Sequence, residues 1–136
     1  MNRNTARRIL MQSIFEMDAR GSAEEVNIEP LLEESGRDSL QEEYIIRNLK
    51  NAADNLEEID KMIEKNIARN WSFDRFDKVM QALLRLSVCE LIFFDKIPAN
   101  VIFNEYIEIA KSFFKKREVG FVNGILNSIF QQQKSV

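Results

Sequence analysis

The sequence predicts an all-α fold: a single domain, residues 1–136, of six to seven helices bundled around a central apolar helix at about 74–94. Three observations carry this. Apolar residues return every three or four positions over most of the chain, the period of one helical face. Between residues 79 and 94 they occupy nearly every side, as in a helix at the middle of a bundle. No stretch alternates convincingly at period two, so no strand is expected.

The first helix is expected over residues 5–19, with Thr5 as N-cap. Ile9, Leu10, Ser13, Ile14 and Met17 supply its core face. Gly21 and Ser22 then break the chain, and residues 20–27 read as a loop. A short helix around Pro30 carries Leu31 and Leu32 and ends near Gly36. Asp38 or Ser39 caps the next helix, and Glu42 completes a capping box if Ser39 is the cap. Residues 40–68 read as helix almost throughout, with room for a short break at 51–55. Leu40, Tyr44, Ile45, Leu49, Ala52, Ala53, Leu56, Ile59, Ile63 and Ile67 hold one stripe there. Ser72 is the expected cap of the central helix, with Asp74 in its first turn. Arg85 and Glu90 are its only charges between residues 79 and 94, and each needs a partner if buried. Arg85 is expected to reach Glu105 on the next helix.

Asp95 and Lys96 make a tight connection. Pro98 can open a helix, because a first-turn residue has no intrahelical use for its N–H. Ile102, Tyr106, Ile109, Ala110 and Phe113 form that helix's apolar face. The pattern breaks at Lys115, Lys116 and Arg117. It resumes in a last helix from Phe121, with Val122, Ile125, Leu126 and Ile129 on the same face. Gly124 lies inside that helix at a cost of about 1 kcal/mol relative to alanine. A close helix–helix approach is expected to compensate.

Composition excludes several chemistries. The chain has no histidine and one cysteine, Cys89, so zinc-finger and Cys–His catalytic readings fail on inventory. Four glycines leave no phosphate-cradling loop. Glu105 and Glu108 share part of one helix surface, but no base, nucleophile or metal set accompanies them. The chain is therefore expected to be no enzyme and to need no cofactor or metal. No apolar run reaches the ~18 residues of a membrane span, and no apolar segment follows the N-terminal arginines as in a signal peptide. Cys89 reads as a buried thiol in a reducing, cytoplasmic compartment. The net charge of −3 is unevenly spread: residues 1–20 carry +2, residues 21–60 carry −9 and residues 61–136 carry +4. An acidic middle between basic ends can still present a basic patch.

Two clusters are candidates for phosphate contact. One is Arg3, Arg7 and Arg8. On pattern alone it is either a solvated helix end or an arm whose planar guanidinium forks grip phosphates. The other is Lys115, Lys116 and Arg117 before Phe121, where free helix N–H groups beside basic side chains can receive a phosphate. Phe121 fits the apolar face as a core residue, and it could also stack on an unpaired base.

The chain resembles the NusB family of bacterial transcription antitermination factors. The residues that carry the likeness are Ile97-Pro98, Val101, Asn104-Glu105, Ile109-Ala110-Lys111-Ser112-Phe113 and Phe121-Val122-Asn123-Gly124-Ile125-Leu126. Trp71-Ser72-Phe73-Asp74-Arg75-Phe76 with Leu84-Arg85-Leu86 and Glu90-Leu91, and Ala6-Arg7 with Gln12 and Phe15, extend it over nearly the whole chain. The resemblance implies a helical domain that binds boxA-like RNA of ribosomal RNA leaders with a small-subunit ribosomal protein, NusE, inside an RNA polymerase antitermination complex. It implies RNA contacts at Arg3, Arg7, Arg8, Gln12, Lys115, Lys116, Arg117 and Phe121. It implies a partner surface at Phe15, Asp74, Met80 and Gln81, where relatives often carry an acid and a base in place of the last two. Two alternatives share the fold. One is a relative of the N-terminal domain of ribosomal RNA cytosine methyltransferases, for which the chain leaves no room for a catalytic domain. The other is a protein-interaction module or homodimer without RNA binding.

Overall fold

The computed structural model describes residues 2–20, 29–34, 36, 38–68, 71–94 and 96–134, the side chains of 17–20, 31, 34, 133 and 134 excepted. Among them are seven α-helices and no strand: α1 (Arg3–Arg20), α2 (Glu29–Glu34), α3 (Ser39–Asp54), α4 (Leu56–Glu64), α5 (Lys78–Phe93), α6 (Ala99–Phe113) and α7 (Lys116–Lys134). The all-α prediction holds. The expected core residues Met17 and Leu31, the loop from residue 21 onward, and Asp95 lie outside what is described.

α5 is the central helix, packed on α1, α3, α4, α6 and α7. Every residue from 80 to 90 is buried. Leu83, Leu84 and Leu86 are fully enclosed, and each removes apolar surface worth roughly 2 kcal/mol. The start of α5 differs from prediction. Residues 73–75 form a 3-10 turn, and Phe76 is extended. Phe73 and Phe76 are both buried with ring centroids 5.9 Å apart, which holds this turn apart from the helix. Asp77 then caps α5 by accepting from the Val79 N–H at 2.8 Å, so Ser72 does not cap α5 but stands before the 3-10 turn.

Other ends follow local chemistry. Asn2, not Thr5, caps α1: its Oδ1 accepts the Thr5 N–H at 2.8 Å. Gly36 takes the left-handed conformation, φ +72°, after α2, where a side chain would be strained. Asp38 caps α3 by accepting from the N–H groups of Leu40 and Gln41, so the Ser39 capping box does not form. The break expected at 51–55 falls at Asn55. Leu40 is 72% exposed, one turn short of the core edge, and leaves the predicted stripe. At the far end, Ser128 Oγ and Gln132 Nε2 of α7 both donate to Asn66 Oδ1, tying α7 to the end of α4.

Two further predictions are corrected. Arg85 does not commit to Glu105; it forks onto Asp60 of α4, Nε and Nη2 lying 2.8 and 3.0 Å from the two carboxylate oxygens. Gly124 meets no helix: a Cβ built there, or at Gly120, finds nothing within 4 Å.

Candidate nucleic-acid and partner interface

Four of the sequence-derived site residues lie elsewhere than predicted. Arg7 is only 2% exposed. It shares the inward stripe of α1 with Leu10 and Ile14, and its Nε donates to Glu90 Oε2 of α5 at 3.2 Å. The guanidinium also lies over the rings of Tyr106 and Tyr44, at 5.3 and 5.8 Å. Arg7 is thus a core ion pair and offers nothing to a phosphate. Burial pushes the Glu90 carboxyl above its ordinary range, and Arg7 beside it pulls the other way. Met80 and Gln81 are buried as well, and Gln81 Nε2 donates to the Phe76 carbonyl. Neither presents itself to a partner. Phe121 is not the head of the last helix, because α7 already begins at Lys116. Its half-buried ring meets Phe76 and Trp71 edge-on, with centroids 5.6 and 5.8 Å away. Trp71 is 49% exposed, so this small aromatic cluster reaches the surface.

The remaining basic residues converge. Arg8 is exposed, next to the buried Arg7 but turned toward α6. Its Nη2 donates to Ser112 Oγ at 3.1 Å, its Nε donates to Asn4 Oδ1, and its guanidinium lies 5.3 Å from the Phe113 ring. Ser112 is the last residue but one of α6, so Arg8 joins the head of α1 to the junction of α6 and α7, where Lys115, Lys116 and Arg117 lie. All three of these are exposed. Lys116 and Arg117 occupy the first turn of α7, where helix N–H groups are unpaired and the dipole is positive. Cations there are electrostatically unfavourable for the free protein and favourable for a bound anion.

Beside this edge lies a mainly apolar groove of about 330 Å³ between α1, α5 and α6. Phe15, Phe113, Val79 and Ala82 make its walls, with Arg8 and Gln12 at its polar end. Phe15 and Phe113 are 42% and 47% exposed, well above what core rings show. Val79, Ala82 and Phe113 escape the sequence reading, which counts Val79 and Phe113 as apolar-face residues and gives Ala82 no role. The signal that could have found Phe113 is its position at the last residue of α6, beyond Ala110, where the stripe runs out. Asp74 is exposed in the 3-10 turn, and a hydrogen bond from Ser72 holds its carboxyl below the ordinary range. Arg3 sits apart from the edge, stacked on Tyr44 of α3 at 4.0 Å.

No three His, Cys, Asp or Glu side chains converge on a metal site among the described residues, and none of their helices is long and apolar enough to cross a membrane. The arrangement can bind a polyanion along one edge and an apolar segment in the groove beside it.

The model of the NusB family matches residues 4–131. The chain is 38% identical to the transcription antitermination protein NusB of Natranaerobius thermophilus, over 97% of this chain and 96% of that one. It is 39% identical to the NusB of Bacillus licheniformis, over 95% and 96%. A crystal structure of antitermination factors NusB and NusE in complex with dsRNA superposes with a TM-score of 0.83 at 30% identity, covering 96% of both chains.

Proposed function

The chain belongs to the NusB family, and we propose that it acts as a transcription antitermination factor that binds single-stranded, boxA-like RNA of ribosomal RNA leaders together with NusE. The observation that carries this is the Arg8–Ser112 contact. It brings the α1 head and the α7 head onto one surface, with the Trp71–Phe121 rings at one side and the Phe15–Phe113 groove at the other. Phosphates position the strand along the cations, unstacked bases find aromatic faces, and the groove takes an apolar segment of the protein partner. The solved complex of NusB with NusE and RNA supports both classes of partner.

The test is a fluorescence-anisotropy titration of boxA-like against scrambled RNA, with and without NusE, at two salt concentrations. Preference for boxA that sharpens with NusE and weakens in Arg8→Ala and Lys116→Ala supports the reading. A steep salt slope without sequence preference reduces it to a basic patch. No RNA binding in any arm, with self-association by light scattering, favours the interaction-module alternative.

A further inference from the structure

The outer face of α3 is left unused by the proposed RNA and NusE surfaces. α3 packs on α1, α4 and α5 and buries Tyr44, Ile45, Asn48 and Ala52. At 3.6 residues per turn, the side opposite that stripe runs through Ser39, Glu43, Ile46 and Lys50. Ile46 is 55% exposed there. It lines an open groove of about 720 Å³ together with the half-buried Phe93 at the end of α5. No residue of this lining belongs to the Phe15–Phe113 groove or to the basic edge.

The charges around Ile46 are ordered along the helix. Glu42 and Glu43 stand four and three residues before it, and Arg47 and Lys50 stand one and four after it. The helix dipole favours acids early and bases late, and Glu43 pairs with Arg47 at 3.5 Å within α3. Both account for the charges, but neither accounts for an isoleucine in water at their centre. An apolar residue with opposite charges at equal distances on its two sides fits a two-fold axis. When two such helices pack antiparallel with the axis at Ile46, a residue before it in one copy faces the residue equally far after it in the other. Ile46 then meets its own copy. Glu42 of each copy meets Lys50 of the other, roughly 6 Å along the helix on either side. A parallel pairing sets like charges together, and a purely basic or purely acidic partner matches only half of the face.

We propose that this face pairs with a second copy of the chain, α3 against α3, with Ile46 and Phe93 as the apolar centre. The 16 residues of α3 span about 24 Å, and one helix pair falls short of the ~1,600 Å² that stable complexes bury. The dimer is accordingly weak and reversible. It leaves the basic edge and the Phe15–Phe113 groove open, unlike a homodimer that replaces RNA binding, and it stands whether or not boxA is the RNA recognised.

The experiment is sedimentation equilibrium of the full chain over a concentration series, with far-UV circular dichroism checking that each variant is folded. The expected result is a monomer–dimer equilibrium, weakened more than tenfold in Ile46→Asp. Glu42→Lys and Lys50→Glu each weaken it about tenfold, because either change sets like charges together at both ends of the interface. Mixed one to one, these two charge variants recover the parent affinity as a mixed dimer, since each supplies the sign the other lacks. Phe15→Asp, in the other groove, leaves the equilibrium unchanged. Monomer at every concentration, a dimer that survives Ile46→Asp, a dimer broken by Phe15→Asp, or charge variants that fail to recover on mixing overturns the proposal.

Discussion

Arg7→Met is the substitution that most sharply tests the division between core and surface. Arg7 and Glu90 are 2% and 0% exposed and 3.2 Å apart. Tyr106 and Arg3 also favour the Glu90 charge, but Arg7 is its ion-pair partner and the larger of these influences, so Arg7 does most to make its burial tolerable. Removing one member of a buried pair costs about 3–5 kcal/mol, against a total stability of about 5–15 kcal/mol for a domain. Arg7→Met is therefore expected to lose roughly a third or more of the stability, read by urea titration followed by far-UV circular dichroism. The double variant Arg7→Met/Glu90→Leu removes both charges and returns to within about 1 kcal/mol of the parent, because replacing a buried pair with apolar groups is often neutral. RNA affinity, corrected for the folded fraction, stays unchanged in the double variant. A loss below about 1 kcal/mol in Arg7→Met, a double variant no better than the single, or a folded double variant that no longer binds RNA would each refute the reasoning.

Four further outcomes are expected. Burial raises the Glu90 pKa above its ordinary 4.5, so the folded state holds that proton more tightly; its penalty is absent below the unfolded value and grows as pH rises through the folded one. Urea titrations of Glu90→Gln across weakly acidic pH should accordingly lack a fall in stability that the parent shows. Gly120→Ala and Gly124→Ala each face open space and should raise stability by about 0.5–1 kcal/mol, seen as a higher Tm. Lys116→Gln should lower RNA affinity and flatten the log–log salt dependence by about 0.7 for one lost phosphate contact on a single strand. Phe15→Ala should leave the unfolding free energy within about 1 kcal/mol of the parent, since the ring is 42% exposed, and weaken NusE binding by about 1–2 kcal/mol or more in calorimetry.

What the sequence reveals depends on the range of the interaction that decides it. Helical periodicity is local and strong, and it finds all seven helices, the break at Asn55 and the central position of α5. Helix starts are decided by competition among nearby side chains. Asn2 and Asp77 win over Thr5 and Ser72 because they sit at the turns that the buried neighbours impose. Long-range pairing is least legible. Arg85 and Glu90 visibly need partners, but nothing local points Arg85 to Asp60, 25 residues back, or Glu90 to Arg7, 83 residues back.

Arg7 and Arg8 show how close the two roles lie. Neighbouring helical positions differ by about 100°. Position 7 falls on the line of Leu10 and Ile14, and position 8 falls outside it. That line is visible in the sequence, and so is the lone acid in the most apolar helix of the chain. Together they make a buried Arg–Glu pair the economical solution, because one buried charge demands another. The resemblance obscures this by treating the basic run as one surface feature. The whole inward stripe of α1, with Leu10 and Ile14 as well as Arg7, sets the rotation of the helix that turns Arg8 toward Ser112 and Phe15 into the groove. Arg7 therefore belongs to the core, and the proposed RNA contact at this end of α1 falls to its exposed neighbour Arg8.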